Sequence, residues 1–335
     1  MGAMAEKGTG RRRLSRVRGM AVISALLIVA VIAALAAALL GRQSAFIRTT
    51  QGEQSRVQAR WLLRGELGAA QRLLRAEAVR EPTTRLDGLW NRPLAGPVAG
   101  QVAAGGARLL SEITDEQGKF NLRNLVDRGR IDPAEAAVFN RLCAMTGVSP
   151  AQAQALMRRV VGSIADPEGE AAQTASDAAA DTLTATLGLL PELPRAPQAP
   201  RPRVLEDLGV VPGVDAGVIA RLAPFVTMLP TRTWINANTA SAELLAAGVP
   251  GLALEKARAM LAARDRGQWF INRGDFANRL QMPTLDERDV RIGIDSNWFR
   301  VASVLDTPRT KYVQMALLQD DKTNLPRVIW LREGV

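Results

Sequence analysis

The side chains that most often carry catalysis are scarce in this chain of 335 residues. It contains no histidine and one cysteine, Cys143. Without histidine, the commonest general base, the commonest metal ligand and every Ser-His or Cys-His arrangement are missing. One cysteine cannot close an intrachain disulfide, and we expect Cys143 to be a small buried residue. The acidic residues come with neither a serine elbow nor a phosphate-binding loop, so we predict that the chain is not an enzyme.

The most suggestive spacing lies at the N-terminus, where a basic leader over residues 1–19 meets an apolar run. Six cationic side chains, among them Arg16 and Arg18, stand there against one carboxylate, which accounts for half of the chain's net charge of +10. Gly19 separates this leader from Met20. The chemistry expected there is hydrolysis of the peptide bond after Gly19, on the cytoplasmic side of the membrane, as in a type IV pilin-like leader.

The apolar run is long enough to cross a membrane. Between residues 20 and 40 there is no charge, and Ser24 is the only polar side chain. A helix of this length spans about 31 Å, close to the hydrocarbon thickness of about 30 Å, and we predict a transmembrane helix over 20–41. The basic leader keeps the N-terminus in the cytoplasm. A secretory signal cut at Ala34-Leu35-Ala36 and an uncut single-pass anchor are the alternatives to the pilin-like leader.

The helical pattern continues beyond the membrane segment. Apolar residues recur at spacings of three and four, with charged ones such as Glu66 between them, and a proline ends the pattern. We predict an amphipathic continuation of the helix over 42–81. Four of its residues are expected to contact either the protein's own sheet or a partner helix: Trp61, Leu63, Leu67 and Leu74.

The rest of the chain changes from strands to helices and back to strands. The first part of the head, 82–126, contains two apolar runs around Asp115–Lys119 that we interpret as a hairpin. A helical domain over 127–285 begins with a capping box at Asp132-Pro133-Ala134-Glu135, and 286–335 predicts an antiparallel meander of three strands. The fold class is therefore α+β, with a pilin-like long N-terminal helix packed on an antiparallel sheet and a large all-α domain inserted in the head.

Several stretches together resemble one family, the type II secretion system minor pseudopilin K (general secretion pathway protein K). They are Gly19-Met20 with its helix, Asp115-Glu116-Gln117-Gly118-Lys119-Phe120-Asn121-Leu122, Val211-Pro212-Gly213 and Ile235-Asn236-Ala237-Asn238-Thr239-Ala240. Their order and spacing are similar from about residue 16 to the C-terminus. The resemblance implies cleavage after Gly19 by the prepilin peptidase and methylation of the new N-terminus at Met20.

The resemblance also implies a function and a location. A subunit of this type caps the tip of the periplasmic pseudopilus and helps to initiate its assembly for protein export across the outer membrane. Its expected partners are other minor pseudopilins, the prepilin peptidase, the inner membrane and either the secretin or a secreted substrate, with no nucleic acid. We expect a single-pass inner-membrane protein with a cytoplasmic N-terminus and a periplasmic head.

Ser24 stands where major pilin-like subunits carry a glutamate, five residues into the mature helix. That carboxylate is thought to meet the N-terminal amine of a neighbouring subunit inside the bilayer, and unpaired it costs several kcal/mol. A subunit that is never added beneath an existing one has no use for it, so Ser24 fits the filament tip. Alternatively, Ser24 is merely a tolerated small residue.

The resemblance raises a calcium site as well, because the family's helical domain can bind calcium through an acidic stretch. Here the corresponding stretch, 163–168, lacks the first aspartate and the tryptophan. Calcium takes six to eight oxygen ligands. The remaining acidic residues would therefore need help from carbonyls and water, and a solvated acidic loop is the alternative interpretation. These residues are Asp166, Glu168, Asp177 and Asp181.

A different function class is suggested by Gly248-Val249-Pro250-Gly251, which resembles the turn of a helix-hairpin-helix DNA-binding module. Such a module presents backbone amides to phosphates. Against it, Ala253 replaces the second hairpin glycine, and Asp215 at the corresponding place of the other turn would repel a phosphate. An inner-membrane-anchored DNA-binding protein is kept as the alternative function.

Overall fold

The computed structural model describes residues 14–94, 107–164, 182, 185, 196–283 and 290–334. The chain divides into two compact units, Met1–Leu62 and Leu63–Val335. The second unit is called the head below.

The described residues form seven α-helices and ten strands. The helices are α1 Leu14–Arg80, α2 Pro133–Met145, α3 Pro150–Val161, α4 Ala216–Leu222, α5 Ala242–Gly248, α6 Leu254–Asp265 and α7 Arg273–Leu280. The strands are β1 Arg108–Asp115, β2 Phe120–Asn121, β3 Val126–Asp127, β4 Arg130–Ile131, β5 Val226–Thr227, β6 Ile235–Asn236, β7 Ile292–Gly293, β8 Trp298–Asp306, β9 Lys311–Gln319 and β10 Arg327–Gly334. We call the part of the chain that holds α2 to α7 the helical region.

The first unit, where described, is helix α1. Within the described part of the chain, Val22–Gln43 is the one helical stretch long and apolar enough to cross a membrane, with a mean hydropathy of 3.0 over 22 residues. None of it is buried inside the protein, and Ile28 and Leu35 are each more than half exposed. Apolar surface of this extent is stable in lipid rather than in water. The stretch therefore has the length and composition of a single-pass membrane anchor.

The head is built on a four-stranded antiparallel sheet in the order β1-β8-β9-β10. Ile113 of β1 lies opposite Val301 of β8, which in turn lies opposite Ala316 of β9. Because β8, β9 and β10 follow one another in sequence and in space, the predicted C-terminal meander is confirmed. The helical region is inserted between β1 and β8, so the predicted α+β fold is also confirmed.

The head's part of α1 packs on one face of this sheet. Leu67, Ala70 and Leu74 of the helix are buried there. Trp90, from the loop after α1, meets Phe299 edge to face with ring centroids 5.6 Å apart. The amphipathic spacing seen in the sequence thus corresponds to one buried helix face. The sheet residues in this core are Ile113, Phe299, Val301, Ala316 and Leu318.

The helical region has its own core, which extends from Phe120 to Ile292. Two of its helices begin at capping side chains, but the capping box predicted at Asp132 is only half formed, because the backbone N–H of Asp132 donates to the carbonyl of Leu125 and not to Glu135. Asp132 caps α2 by accepting hydrogen bonds from the next helical amides, and Ser149 forms a full capping box at the start of α3. Cys143 is buried in this core, as expected. The domain limits at 127 and 285 stay predictions.

The hairpin predicted around Asp115–Lys119 is wrong. After Asp115 the chain makes a 3-10 turn, Glu116–Gly118, and the next strand, β2, pairs in parallel with β5 instead of folding back on β1. The partner of β1 is instead β8, which follows it by almost 200 residues in sequence. The tight strand pair nearby is β3 with β4, joined by Arg128 and Gly129, both of which have positive φ angles.

Candidate functional site: the seam between the helical region and the sheet

The predicted processing site lies near the start of α1. Arg16, Arg18, Gly19 and Met20 are all helical in backbone. Ser24 follows on the same helix and is exposed. Gly19 lies within the first two turns of α1, and cleavage after it stays a prediction.

The four predicted contact residues on α1 do not share one environment. Leu67 and Leu74 belong to the core between helix and sheet, and Leu63 is buried as well. Trp61, in contrast, is 69% exposed. Thus Leu67 and Leu74 contact the protein's own sheet, whereas Trp61 is available to a partner.

The predicted calcium ligands Asp166, Glu168, Asp177 and Asp181 lie outside the described residues. Among the described residues, no group of three or more acidic, histidine or cysteine side chains could hold a metal ion. The choice between a calcium site and a solvated loop therefore stays open.

A buried carboxylate, Asp115, joins the end of β1 to the helical region. It accepts hydrogen bonds from the hydroxyls of Thr239 and Ser296, each at 2.6 Å, from the amide group of Asn236 at 3.2 Å, and from the backbone N–H of Gln117 at 2.8 Å. Burial raises the pKa of Asp115, although all four donors lower it. Its four donors come from three separate stretches of the chain, so one side chain ties them together.

The next residue, Glu116, forms a second polar contact to the helical region. Its carboxylate pairs with Lys119 at 2.9 Å and with Arg300 of β8 at 3.0 Å, and it accepts a short hydrogen bond from the hydroxyl of Thr227. Glu116 and Lys119 are both buried. Because a buried charge is tolerated only when it is paired, this cluster requires the strands and the helical region to stay in place together.

Two asparagines continue the same line of contacts. Asn121 donates to the carbonyl of Thr231 at 2.8 Å and accepts from the backbone N–H of Leu229 at 3.1 Å. Asn124 donates to the carbonyl of Thr233 at 2.8 Å and accepts from its N–H at 3.0 Å. Each amide thus replaces a backbone partner for a segment that lies more than 100 residues away in sequence. We call 115–124, together with 227–239 and Ser296, the seam.

At Gly118 the chain packs closely against Thr239 across the seam. A Cβ atom at this position would lie 2.8 Å from the hydroxyl oxygen of Thr239 and 3.1 Å from its carbonyl oxygen. The φ angle of Gly118 is not in the left-handed region, so close packing rather than backbone conformation requires glycine here.

The stretches that carry the family resemblance include Asp115–Leu122 and Ile235–Ala240 of the seam, but the resemblance does not indicate what these residues do. One signal was present. Asn121 and Asn124 are flanked by Phe120, Leu122 and Leu125, and polar residues inside such apolar stretches are buried with partners in the folded protein. The identity of those partners depends on the fold and could not be found from the sequence.

Comparison with known proteins matches two parts of this chain to two models of one family. Both are described as type II secretion system protein K, and they match residues 118–231 and 235–295. Type II secretion system protein K of Pseudomonas aeruginosa is 30% identical over 323 residues, covering 93% of this chain and 91% of the relative. This chain belongs to the type II secretion system protein K family.

Further relatives extend the similarity over the same length. Protein K of Klebsiella pneumoniae is 28% identical over 320 residues, with 91% of this chain and 93% of the relative covered. A crystal structure of a GspK-GspI-GspJ complex from enterotoxigenic Escherichia coli matches with a TM-score of 0.59 at 21% identity, covering 85% of this chain and 99% of that one. The head therefore has the minor pseudopilin fold of the protein K family.

The alternative of a DNA-binding module finds no support in these comparisons. The turn between α5 and α6 is tight, with Gly251 at φ +79°, as a helix-hairpin-helix requires. At the other turn, the carboxylate of Asp215 accepts a hydrogen bond from the N–H of Val218 and occupies the start of α4. A phosphate would be repelled there. In this protein K member the hairpins serve as parts of the helical core.

Proposed function

We propose that this chain is the minor pseudopilin that caps the tip of the periplasmic pseudopilus and helps to initiate its assembly. The observation that carries the proposal is the insertion of six described helices between two neighbouring strands of a pseudopilin sheet. A filament has one position at which so large an insertion meets no subunit stacked above it. The family membership supports the same role in protein export across the outer membrane.

The proposed topology is a single pass through the inner membrane with the head in the periplasm. The support is the anchor at Val22–Gln43 and the cationic leader that contains Arg16 and Arg18. Processing by the prepilin peptidase at Gly19 would leave a methylated Met20 as the first residue. The mass of the N-terminal peptide isolated from membranes tests this. A start near Ala37 would indicate a secretory signal, and an uncut chain would indicate a plain anchor.

The proposed partners are the other minor pseudopilins, and either the secretin or a secreted substrate at the tip. Support comes from the related Escherichia coli chain, whose structure is a complex named GspK-GspI-GspJ. We further propose that the role is structural and not catalytic. Full-length protein crosslinked in membranes should copurify with other minor pseudopilins, and cells without it should fail to secrete. Normal secretion in its absence would contradict the proposal.

We propose that the acidic stretch with Asp166, Glu168, Asp177 and Asp181 does not bind calcium, because the first aspartate and the tryptophan of the calcium-binding pattern are replaced. A chelator should then leave the melting temperature of the head unchanged. A lower melting temperature that calcium restores would show a calcium site instead.

A further inference from the structure

The seam is made mostly of side chains that bond to backbone or to other buried side chains, and this restricts how the helical region sits on the sheet. Backbone pairing across the seam is short, because β2 and β5 share two residue pairs. Apolar packing alone tolerates small sliding movements, because it has no direction. Directional hydrogen bonds do not. A shift of one residue would leave the carboxylate of Asp115 and the amides of Asn121 and Asn124 buried without partners.

We propose that the seam is a positioning device that holds the helical region in one orientation on the sheet, with Asp115 as its central residue. Four donors converge on Asp115, and two of them, the hydroxyls of Thr239 and Ser296, donate to its carboxylate oxygen Oδ2. The amide of Asn236 also donates to the hydroxyl of Ser296, so the donors are linked to one another. This proposal rests on the proposed function only where it predicts an effect on secretion.

The same donors connect the seam to the end of α1. The side chain of Asn236 donates to the carbonyl of Thr84 at 3.0 Å, and the hydroxyl of Thr84 accepts from the N–H of Ser296 at 3.1 Å. Thr84 lies four residues after the end of α1, and it is itself buried. The loop after the long helix, the sheet and the helical region therefore meet at one cluster. An orientation fixed at this cluster is therefore shared by these three parts of the head.

The test is an intrachain crosslink between the helical region and the sheet edge in the full-length chain in membranes. Arg332 of β10 contacts Asp207, with Nη2 and Oδ2 3.2 Å apart, so Arg332→Cys paired with Glu206→Cys places two thiols across the boundary. Cys143, the only native cysteine, does not compete, because burial raises its pKa to about 12. With a short thiol crosslinker, the parent should give one intrachain product at high yield.

Two seam variants and one matched control decide the result. Thr239→Val keeps the size of the side chain and removes one donor, and Asp115→Asn removes the charge. Both should lower the crosslinking rate about tenfold, the factor expected for one hydrogen bond to a charged group. Ser163→Ala removes a buried hydroxyl whose hydrogen bond, in the described part of the chain, is to the carbonyl of Val160 in the helical region, and this variant should crosslink like the parent.

Folding is monitored separately by amide exchange of α2, which should stay protected in all variants. If Asp115→Asn unfolds the head, Thr239→Val alone decides. Parent-like crosslinking in Thr239→Val would overturn the proposal. The secretion readout concerns the proposed cap: secretion should fall in Thr239→Val and recover when the crosslink is closed. Slow crosslinking with normal secretion would support the seam as a positioning device and contradict the capping role. Failure of the seam proposal and failure of the proposed function are therefore distinguishable.

Discussion

Two buried carboxylates in the head, Asp115 and Glu66, differ in how completely their oxygens are hydrogen-bonded. Asp115 has four hydrogen-bond donors around it. Glu66 lies on the buried face of α1, only 1% exposed, and its oxygen Oε2 has no hydrogen-bond partner in the described part of the chain. Burial raises the pKa of Glu66, and a hydrogen bond with Ser111 lowers it. Because a satisfied buried group specifies one arrangement and an unsatisfied one costs stability, the two residues should respond differently to the same substitution.

The surroundings of Glu66 explain why an acidic residue is tolerated in this apolar contact. Ser111 of β1, Ser303 of β8 and Gln314 of β9 lie opposite one another in register, and the two serine hydroxyls are 2.8 Å apart. They form a buried polar row between rows of apolar residues on the sheet. Neither polar atom of the Gln314 side chain has a hydrogen-bond partner among the described residues. The polar row is thus less well satisfied than the seam.

The largest expected effect is that of Asp115→Ala, which leaves four donors without their acceptor. We expect the free energy of unfolding of the head to fall by about 3–5 kcal/mol. Chemical denaturation of the full-length protein in detergent measures it. Glu255→Ala, at a side chain that is 82% exposed, is the control and should change little. A loss below about 1 kcal/mol for Asp115→Ala would contradict the role given to the seam.

Gly118→Ala tests the close approach in the seam without removing a polar group. The new Cβ would lie 2.8 Å from the Thr239 hydroxyl and 3.1 Å from its carbonyl oxygen, so the side chain that donates to Asp115, or the backbone beside it, must shift. We expect a loss of about 2 kcal/mol. Gly209→Ala is a matched control, since nothing lies within 4 Å of its Cβ position and no positive φ is required there. Equal stability of the two alanine variants would argue against a tight seam.

A third buried carboxylate, Glu135, lets pH sharpen the comparison. Burial and the nearby charge of Asp132 raise its pKa from 4.5 to about 7, while Arg232 and Asn124 lower it. The folded head therefore keeps a proton that the unfolded chain loses. The stability from this group is complete below pH 4.5 and is lost as the pH rises through about 7.

Glu135→Gln should make the free energy of unfolding less dependent on pH. The difference in this free energy between pH 4.5 and pH 8 should decrease by about 1–2 kcal/mol. Denaturation midpoints measured across the pH range check it. An identical pH dependence in Glu135→Gln and the parent would show that another group is responsible.

The smallest effect is expected for Glu66→Leu. It replaces a poorly satisfied carboxylate by an apolar side chain of similar size, and the free energy of unfolding should change by less than about 1 kcal/mol or increase. Asp115→Leu, the same exchange in the seam, should be strongly destabilising. If Glu66→Leu lost as much stability as Asp115→Leu, the contrast between the two carboxylates would be wrong.

Much of the fold could be predicted from local sequence signals. The caps at Asp132 and Ser149, the apolar spacing of α1 and the three C-terminal strands each depend on neighbouring residues. Glu66 is an exception in α1, because the sequence pattern places it among the charged residues between the apolar positions, whereas in the structure it is buried. Helical spacing gives the face of a residue only approximately, and it does not reveal a polar row on the sheet beneath.

The seam could not be predicted, because its contacts join residues that are distant in sequence. Asp115 meets Thr239 and Ser296 only after the helical region has folded back onto the sheet. The hairpin prediction failed for the same reason, since β1 and β2 each pair with a strand from a later part of the chain. Local signals give the elements, and the long-range polar contacts that orient them require the structure.

The most direct test of the proposed cap is the position of the protein in the assembled pseudopilus. Met145→Cys places a reactive thiol on the surface of α2, at a residue that is 41% exposed, for labelling with maleimide-gold. We expect one label at a single end of each filament. Labels spaced along the shaft would contradict the account.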